Sequence, residues 1–295
     1  MFVTISDTAC FERIQMEGAR LSGNEYVKTF KTFRKGTTSS RNNIIKIVIQ
    51  RNGLNESPRK VLSIGAGTGA IEVAMVTEMD LKMDYLYAIE PLADHLEPLQ
   101  SALNNLGVKH DIDTKCFDEE FQFPSDLEDI GGGFDFILMS HCVYYFKNPY
   151  ATILHASSFL KNSGTLLLLV QGESVGSEMH RYLSSVGGNP EEFAIANHSV
   201  TWEVLAPGLV ENCPQLTFET FEGMRDIDVD DFVRQVDHPD ADDAISFRLQ
   251  CSYKRLPKDI QQHIHKMVMS KAVLIDGKYF IKSPSTGFEL HLVNE

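Results

Sequence analysis

No stretch of this 295-residue chain approaches the roughly 20 uninterrupted apolar residues that a membrane-spanning helix requires. Residues 1–20 also lack the basic-then-apolar order of a secretory leader, so a cytoplasmic protein without a membrane partner is expected. Cysteine is scarce as well. The five present (Cys10, Cys116, Cys142, Cys213 and Cys251) are odd in number, far apart and never spaced C-x-x-C, which supports neither a zinc site nor a disulfide framework. Positive charge is in deficit, with 27 Lys and Arg against 41 Asp and Glu and a formal net charge of −14. Such a field repels a phosphate backbone and draws in cations, so nucleic acid is not an expected partner. The acidic run Asp226-Ile227-Asp228-Val229-Asp230-Asp231 lacks what a calcium loop needs. Asp231 holds the sixth position, where glycine must turn the chain, and Asp237 the twelfth, where a bidentate glutamate belongs. It reads as a solvated acidic face, and no metal is expected.

What is present is enough apolar residue, 43% of the chain, to bury a full core, and one domain with an elaboration is expected. Tyr26, Phe30 and Phe33 recur at helical spacing, and a helix signal follows over 43–50. Lys60-Val61-Leu62-Ser63-Ile64 is a short apolar run that stops at a glycine cluster, as a buried parallel strand does. Strand and helix signals then alternate: helix 69–79, strand 85–89, helix 95–106, strand 111–115, strand 134–139, helix 149–160 and strand 165–170. That alternation predicts an α/β fold with a doubly wound, mostly parallel twisted sheet. Residues 171–269 break the rhythm, with one strand signal over 216–221, and read as an elaboration inserted on the substrate side. Segments 278–282 and 288–293, separated by Ser-Pro-Ser-Thr-Gly, read as a closing antiparallel hairpin. The expected division of the single domain is an N-terminal helical cap at 1–57, a cofactor-binding core at 58–170, the elaboration at 171–269 and the hairpin at 270–295.

The sharpest signal is Val61-Leu62-Ser63-Ile64-Gly65-Ala66-Gly67-Thr68-Gly69-Ala70, a strand feeding three alternate glycines and then a helix. Glycines there let the backbone turn tightly and let a ligand approach without meeting Cβ atoms. Glu90 ends the next strand, before Pro91, where its carboxylate can accept from both hydroxyls of a ribose. Taken alone, Gly65-x-Gly67-x-x-Ala70 also fits a nicotinamide-cofactor fingerprint. Three features favour S-adenosyl-L-methionine (SAM) instead. The loop begins only near residue 65, behind aromatic helices able to cap a ligand. Phe134-Asp135-Phe136-Ile137-Leu138-Met139-Ser140 runs straight into His141-Cys142-Val143-Tyr144-Tyr145, which puts polar and aromatic groups at the carboxyl edge where such sheets bind ligands. A closing hairpin also suits the reversed last strand of a Rossmann-like class I methyltransferase sheet, the fold expected here. Asp118, after the third strand, can accept from an adenine amino group, and His95 follows Glu90 on a helix within reach of a cofactor. A solvated carboxylate and an exposed histidine are the alternatives for those two.

These residues resemble the histamine N-methyltransferase family over most of the chain, from about Tyr26 to the C-terminus. The similarity rests on Tyr26-Val27-x-x-Phe30-x-x-Phe33, Leu62-Ser63-Ile64-Gly65-x-Gly67-x-Gly69, Glu90-Pro91, Asp135-Phe136-Ile137-x-Met139 with Tyr144-Tyr145-x-Lys147, and Met224-x-Asp226-Ile227. The resemblance implies SAM contacts at Gly65, Glu90, His95, Asp118 and Ser140. It also implies an aromatic substrate pocket from Tyr26, Phe30, Tyr144, Tyr145 and Phe247. It breaks where the substrate would be held. The family's substrate-binding glutamate appears here as Ser39 and its glutamine after the fourth strand as His141; two pocket tryptophans fall near Ser177 and Arg181, and the hairpin asparagine within Ser283-Pro284-Ser285. A lost buried carboxylate removes a charge-assisted hydrogen bond of about 1.5–3 kcal/mol, which argues against histamine itself.

A monomeric SAM-dependent N-methyltransferase of a small amine or imidazole, working by in-line transfer, is therefore expected. His141 and Tyr145 are the candidate catalytic residues, His141 as an orienting group or as a proton acceptor with an ordinary pKa of about 6.5. The aromatic rings would keep the acceptor nitrogen neutral by desolvation and attract the sulfonium through their faces. Gln171 or Glu173, past the fifth strand, is a candidate polar anchor. A small-molecule O- or S-methyltransferase, a catalytically silent methyltransferase fold acting as a binding module, and a nicotinamide-dependent oxidoreductase stay open.

Overall fold

Parallel strands that are apolar on both faces need helices on both faces. The computed structural model of the chain, which describes residues 21, 23–35, 40–124, 132–186, 200–238 and 240–293, meets that need. Two helices come first, α1 (Gly23–Lys35) and α2 (Ser40–Arg51), then β1 (Arg59–Ile64), α3 (Ala70–Thr77), β2 (Met83–Ile89), α4 (Ala93–Leu106), β3 (Lys109–Asp113) and β4 (Phe134–Ser140). A short 3-10 turn, Val143–Tyr145, follows β4, and α5 (Pro149–Ser157) leads into β5 (Leu160–Gln171). Beyond α6 (Val175–Val186) and α7 (Trp202–Asn212) lie β6 (Leu216–Asp228), α8 (Asp230–Val233), α9 (Asp243–Leu249), α10 (Lys258–Lys271), β7 (Ala272–Ile275) and β8 (Lys278–Leu292). The sheet order is β3-β2-β1-β4-β5-β8-β6, with β7 paired to β8. Strands β1 to β5 run parallel, and β8 is antiparallel to β5, β6 and β7.

Alternation along the strands fills two cores. Leu62, Ile64, Ile137, Met139, Leu166 and Leu168 pack with Ile153 of α5 and Leu205 of α7 on one face. Val61, Phe136, Leu138, Leu167 and Leu169 meet Ile45 of α2, Met75 of α3 and Leu99 of α4 on the other. Each fully buried Leu or Ile contributes about 1.5–3 kcal/mol. A third cluster joins Phe33 of α1, Met179 of α6, Ile245 of α9 and Ile264 of α10 to Ile227 and Ile281 on β6 and β8.

Three departures from the sequence expectation bear on the sheet. β3 lies two residues before the expected 111–115, because its register is set by β2: Tyr85 pairs with Lys109 and Ile89 with Asp113. The phenols of Tyr85 and Tyr87 reinforce that register by donating to Asp111 at 2.7 Å and Asp113 at 3.0 Å. β6 runs well beyond the expected 216–221 and is an edge strand of the main sheet. Its acidic side chains suit an edge and dilute the strand signal. The hairpin is present, but its turn is Asp276-Gly277, with φ of 48° and 82°, joining β7 to β8. Both central residues need positive φ in such a two-residue turn, which matches the twist of the strands. Ser-Pro-Ser-Thr-Gly passes through as part of one continuous strand. Pro284 is tolerated because β5 ends at Gln171, opposite Ser285, and the Pro284 carbonyl still accepts from Gly172 N at 2.8 Å. The acidic run is tied down by cations: Asp226 to Lys282, Asp228 to Lys278 and Asp230 to Arg234. Among the described residues no helix is long and apolar enough to cross a membrane. Residues 1–20 of the expected cap, and Ser39, lie outside the described residues.

Candidate active site

The carboxyl ends of β1, β2, β4 and β5 open onto one cavity of about 280 Å³, near the lower end for small-ligand sites. Its first wall is the turn after β1, where the N–H groups of Gly65 and Ala66 donate to the Ile89 carbonyl at 2.8 and 3.1 Å. The three glycines do different work. A Cβ on Gly65 would lie 2.8 Å from Cys142 Cβ, so this residue lets the loop after β4 close in. A Cβ on Gly69 would press on Leu99 and Ala102, which places Gly69 in the packing of α3 on α4 and off the cavity wall. Only Gly67, at φ +60°, faces open space with nothing within 4 Å. Here the backbone is open to the approach of a ligand.

Glu90 is buried beside it. One carboxylate oxygen accepts from Gly67 N at 2.7 Å and the other from Leu92 N at 2.9 Å, so the group is fixed with lone pairs to spare. His95 lies 3.5 Å from Glu90 through Nδ1, with the rings of Tyr26 and Phe30 at 6.0 and 6.3 Å. Ser140 Oγ is buried on the wall without a hydrogen-bond partner. Asp118 is not part of the wall. Because β3 ends at Asp113, the chain turns early, Cys116 and Phe117 take the wall, and Asp118 is exposed, accepting from Glu120 N at 2.9 Å.

An aromatic cluster adjoins His95 and Glu90. Phe247 sits 5.5, 5.1 and 4.7 Å from the rings of Tyr26, Phe30 and Phe33, and the Tyr26 and Tyr145 hydroxyls are 3.4 Å apart. Burial pushes the Tyr26 phenol up to about 12 and those of Tyr144 and Tyr145 upward too, so all three stay protonated and neutral. His141 adopts φ of 55°, a left-handed conformation that side chains other than glycine rarely take and that marks a constrained site. Its Nδ1 is 3.3 Å from the Tyr144 hydroxyl, which in turn accepts from Gln171 N at 2.6 Å. Burial, and then Arg225, Arg41 and Arg248, hold the His141 pKa well below 6.5. The ordinary basicity expected of it is therefore corrected: His141 is a neutral, weakly basic imidazole that can orient a ligand.

Sequence reasoning missed the arginines. Arg225 on β6 and Arg248 on α9 both line the cavity and are 8% exposed, with Arg41 of α2 on the same wall. Arg248 donates to Gln171 Oε1 at 2.8 Å and Ser174 Oγ at 3.0 Å. Gln171 thus anchors a side chain of the wall, whereas Glu173 is exposed and bound to Arg181. No local pattern announces either arginine, since each comes from a segment far along the chain and enters the cavity only through the sheet order.

Comparison with known proteins agrees with this geometry. The family described as "Methyltransferase domain" matches residues 39–207, more than half of the chain. Zebrafish (Danio rerio) histamine N-methyltransferase is 26% identical over 163 residues, covering 50% of this chain and 56% of that protein. Malonyl-[acyl-carrier protein] O-methyltransferase of Paenibacillus sp. (strain JDR-2) is 27% identical over 174 residues, covering 54% and 58%. The chain thus spans somewhat over half the length of both curated relatives. Among solved structures, the YcgJ protein of Bacillus subtilis superposes with a TM-score of 0.54 at 16% identity, covering 84% of this chain and 97% of that one. The plantazolicin methyltransferase BamL, solved with a triazolic desmethylPZN analog and S-adenosylhomocysteine (SAH), gives 0.50 at 15% identity, covering 91% and 96%. These likenesses bear out the class I methyltransferase fold, and SAM is the cofactor they support. Family match, sheet order and glycine turn converge, and the chain belongs to the family of methyltransferase domains.

Proposed function

We propose that this chain binds SAM across the turn after β1 and transfers its methyl group to a nitrogen of a small amine or imidazole molecule. The observation that carries the reading is the pairing of Gly67, open to the cavity, with a Glu90 carboxylate fixed by two backbone donors beside it. Those residues fit an adenosyl group: Glu90 keeps lone pairs for ribose hydroxyls, Ser140 Oγ and the His95 ring nitrogens lack hydrogen-bond partners, and Phe117 offers an apolar wall. When bound, SAM would supply an activated methyl group: the electron pair of the broken C–S bond would stay on sulfur, and the methylated nitrogen would release its proton to water. The chain's own part is alignment and water exclusion. Tyr26, Phe30, Tyr145 and Phe247 desolvate the acceptor end, which favours a neutral nitrogen, while Tyr144 steadies the neutral His141. Likeness to a histamine N-methyltransferase supports nitrogen as the acceptor, and likeness to a malonyl O-methyltransferase supports oxygen as the second reading. In this scheme 1–57 acts as the cap, 58–170 as the SAM-binding core, 171–269 as the acceptor wall and 270–295 as the closing hairpin, in a cytoplasmic monomer.

Calorimetry of the full chain with SAM and SAH should show one site for each. A methyl-transfer screen with labelled SAM against amines, imidazoles, phenols, thiols and carboxylic acids should give transfer to nitrogen. Failure to bind either nucleotide sinks the reading, and binding without any transfer points to a silent fold.

A further inference from the structure

We infer that the acceptor molecule carries an oxyanion, a carboxylate or phosphate, that docks on the paired guanidinium groups of Arg225 and Arg248. The inference rests on the methyltransferase reading and names the substrate class for that same site. Arginine keeps its charge even when buried, and buried charges are ordinarily paired. Yet among the described residues neither guanidinium forms an ion pair, and the Nε of each is buried without a hydrogen-bond partner. The two polar groups that hold Arg248, Gln171 and Ser174, are neutral, so they orient the guanidinium without neutralising it. Helix α6 makes room for it as well, since a Cβ on Gly176 would lie 1.9 Å from Arg248 Nη2. In a chain of net charge −14, two uncompensated cations on one cavity wall are a local reversal of sign. Planar guanidinium forks match carboxylate and phosphate oxygens in geometry as well as charge.

Position separates this subsite from the cofactor's. Glu90 and Gly67 sit at the β1–β2 edge, whereas Arg225 lies on β6, on the far side of β4, β5 and β8. Among the described residues, the side chains beside the two arginines add no negative charge: His141, Tyr144 and Tyr145 are neutral, and Arg41 lies on the same wall. A second cation brought here, such as a bare alkylammonium, meets repulsion. An amine or imidazole bearing an acid group does not, because its anion sits on the arginines while its nitrogen faces the aromatic end.

The test uses the full chain loaded with SAH and matched ligands that differ only in the anion: imidazole-4-acetate against 4-methylimidazole, and histidinol phosphate against histidinol. Calorimetry should show at least one acid binding tenfold or more tighter than its partner, and the two arms tell carboxylate from phosphate. Arg225→Met, unbranched and uncharged, should remove that preference while SAH affinity stays within twofold. Gly176→Ala, which suits a helix and keeps both charges, should weaken the preference by displacing Arg248. Equal or absent binding of the acids by SAH-loaded protein overturns the inference, as does a preference unchanged in both variants. A loss of SAH affinity in Arg225→Met would assign the arginines to the cofactor's own carboxylate and overturn it equally. If the unaltered protein binds no SAH, the methyltransferase reading itself has failed, a separate outcome.

Discussion

The two ends of the cavity are built in different ways. At the β1–β2 end the polar groups are tied to backbone: Glu90 accepts from Gly67 and Leu92, and the turn after β1 is pinned to the Ile89 carbonyl. At the β4–β6 end they are held by neutral side chains, with Gln171 and Ser174 on Arg248 and Tyr144 on His141, and charge is left over. Backbone bonding fixes a site for one ligand shape. Side-chain bonding leaves a site that substitution retunes. A single fold can thus keep one cofactor and change acceptors.

The largest effect expected from breaking one end alone is Gly67→Val. Its φ of +60° lies where a β-branched residue is strained, by roughly 1–2 kcal/mol, and its Cβ would enter the space open to the ligand. SAH affinity should fall by about 100-fold or more in calorimetry, roughly 2.7 kcal/mol. The aromatic end is untouched by the change, so circular dichroism should report an intact fold. Unchanged SAH affinity would show that the nucleotide lies elsewhere.

The same contrast decides how much the sequence reveals. Gly65, Gly67 and Glu90 belong to adjacent strand ends, and the physics that links them is local: a strand, a turn that needs positive φ, and the next strand. They are legible without coordinates, as is the alternation that predicts a parallel sheet. Arg225 and Arg248 are not, because arginine usually lies on the surface and both reach the cavity only after β6 and α9 are folded against it. The Asp276-Gly277 turn was legible, but the louder Ser-Pro-Ser-Thr-Gly drew the hairpin to the wrong place. Pattern alone places Gly69 at the ligand, yet its missing Cβ serves the approach of Leu99 and Ala102.

A middle-sized effect sharpens the acceptor end through pH. Burial and the nearby arginines depress the folded pKa of His141, so below 6.5 the unfolded chain takes a proton that the folded chain refuses. Stability is therefore full above pH 6.5 and declines as pH falls through the window between 6.5 and the lower folded value. One such proton gives a slope of at most about 1.4 kcal/mol per pH unit. His141→Gln should flatten the acid limb of a curve of unfolding free energy against pH by up to that amount and leave the curve above pH 7 in place. An acid limb of unchanged slope would mean that His141 titrates normally and that the arginines lie too far away to act on it.

The smallest effect tests the edge of the cofactor end. Asp118 is exposed and its carboxylate accepts from Glu120 N within its own turn, whereas its neighbours Cys116 and Phe117 form the wall. Asp118→Ala should therefore change SAH affinity by no more than about 0.5 kcal/mol, roughly twofold, as surface substitutions do. The measurement is a calorimetric titration beside the unaltered chain. A tenfold loss would mean that the loop after β3 rearranges around the nucleotide and brings the carboxylate to the adenine. In that event the cofactor end would share the adaptability assigned here to the acceptor end, and the contrast between them would narrow to Gly67 and Glu90.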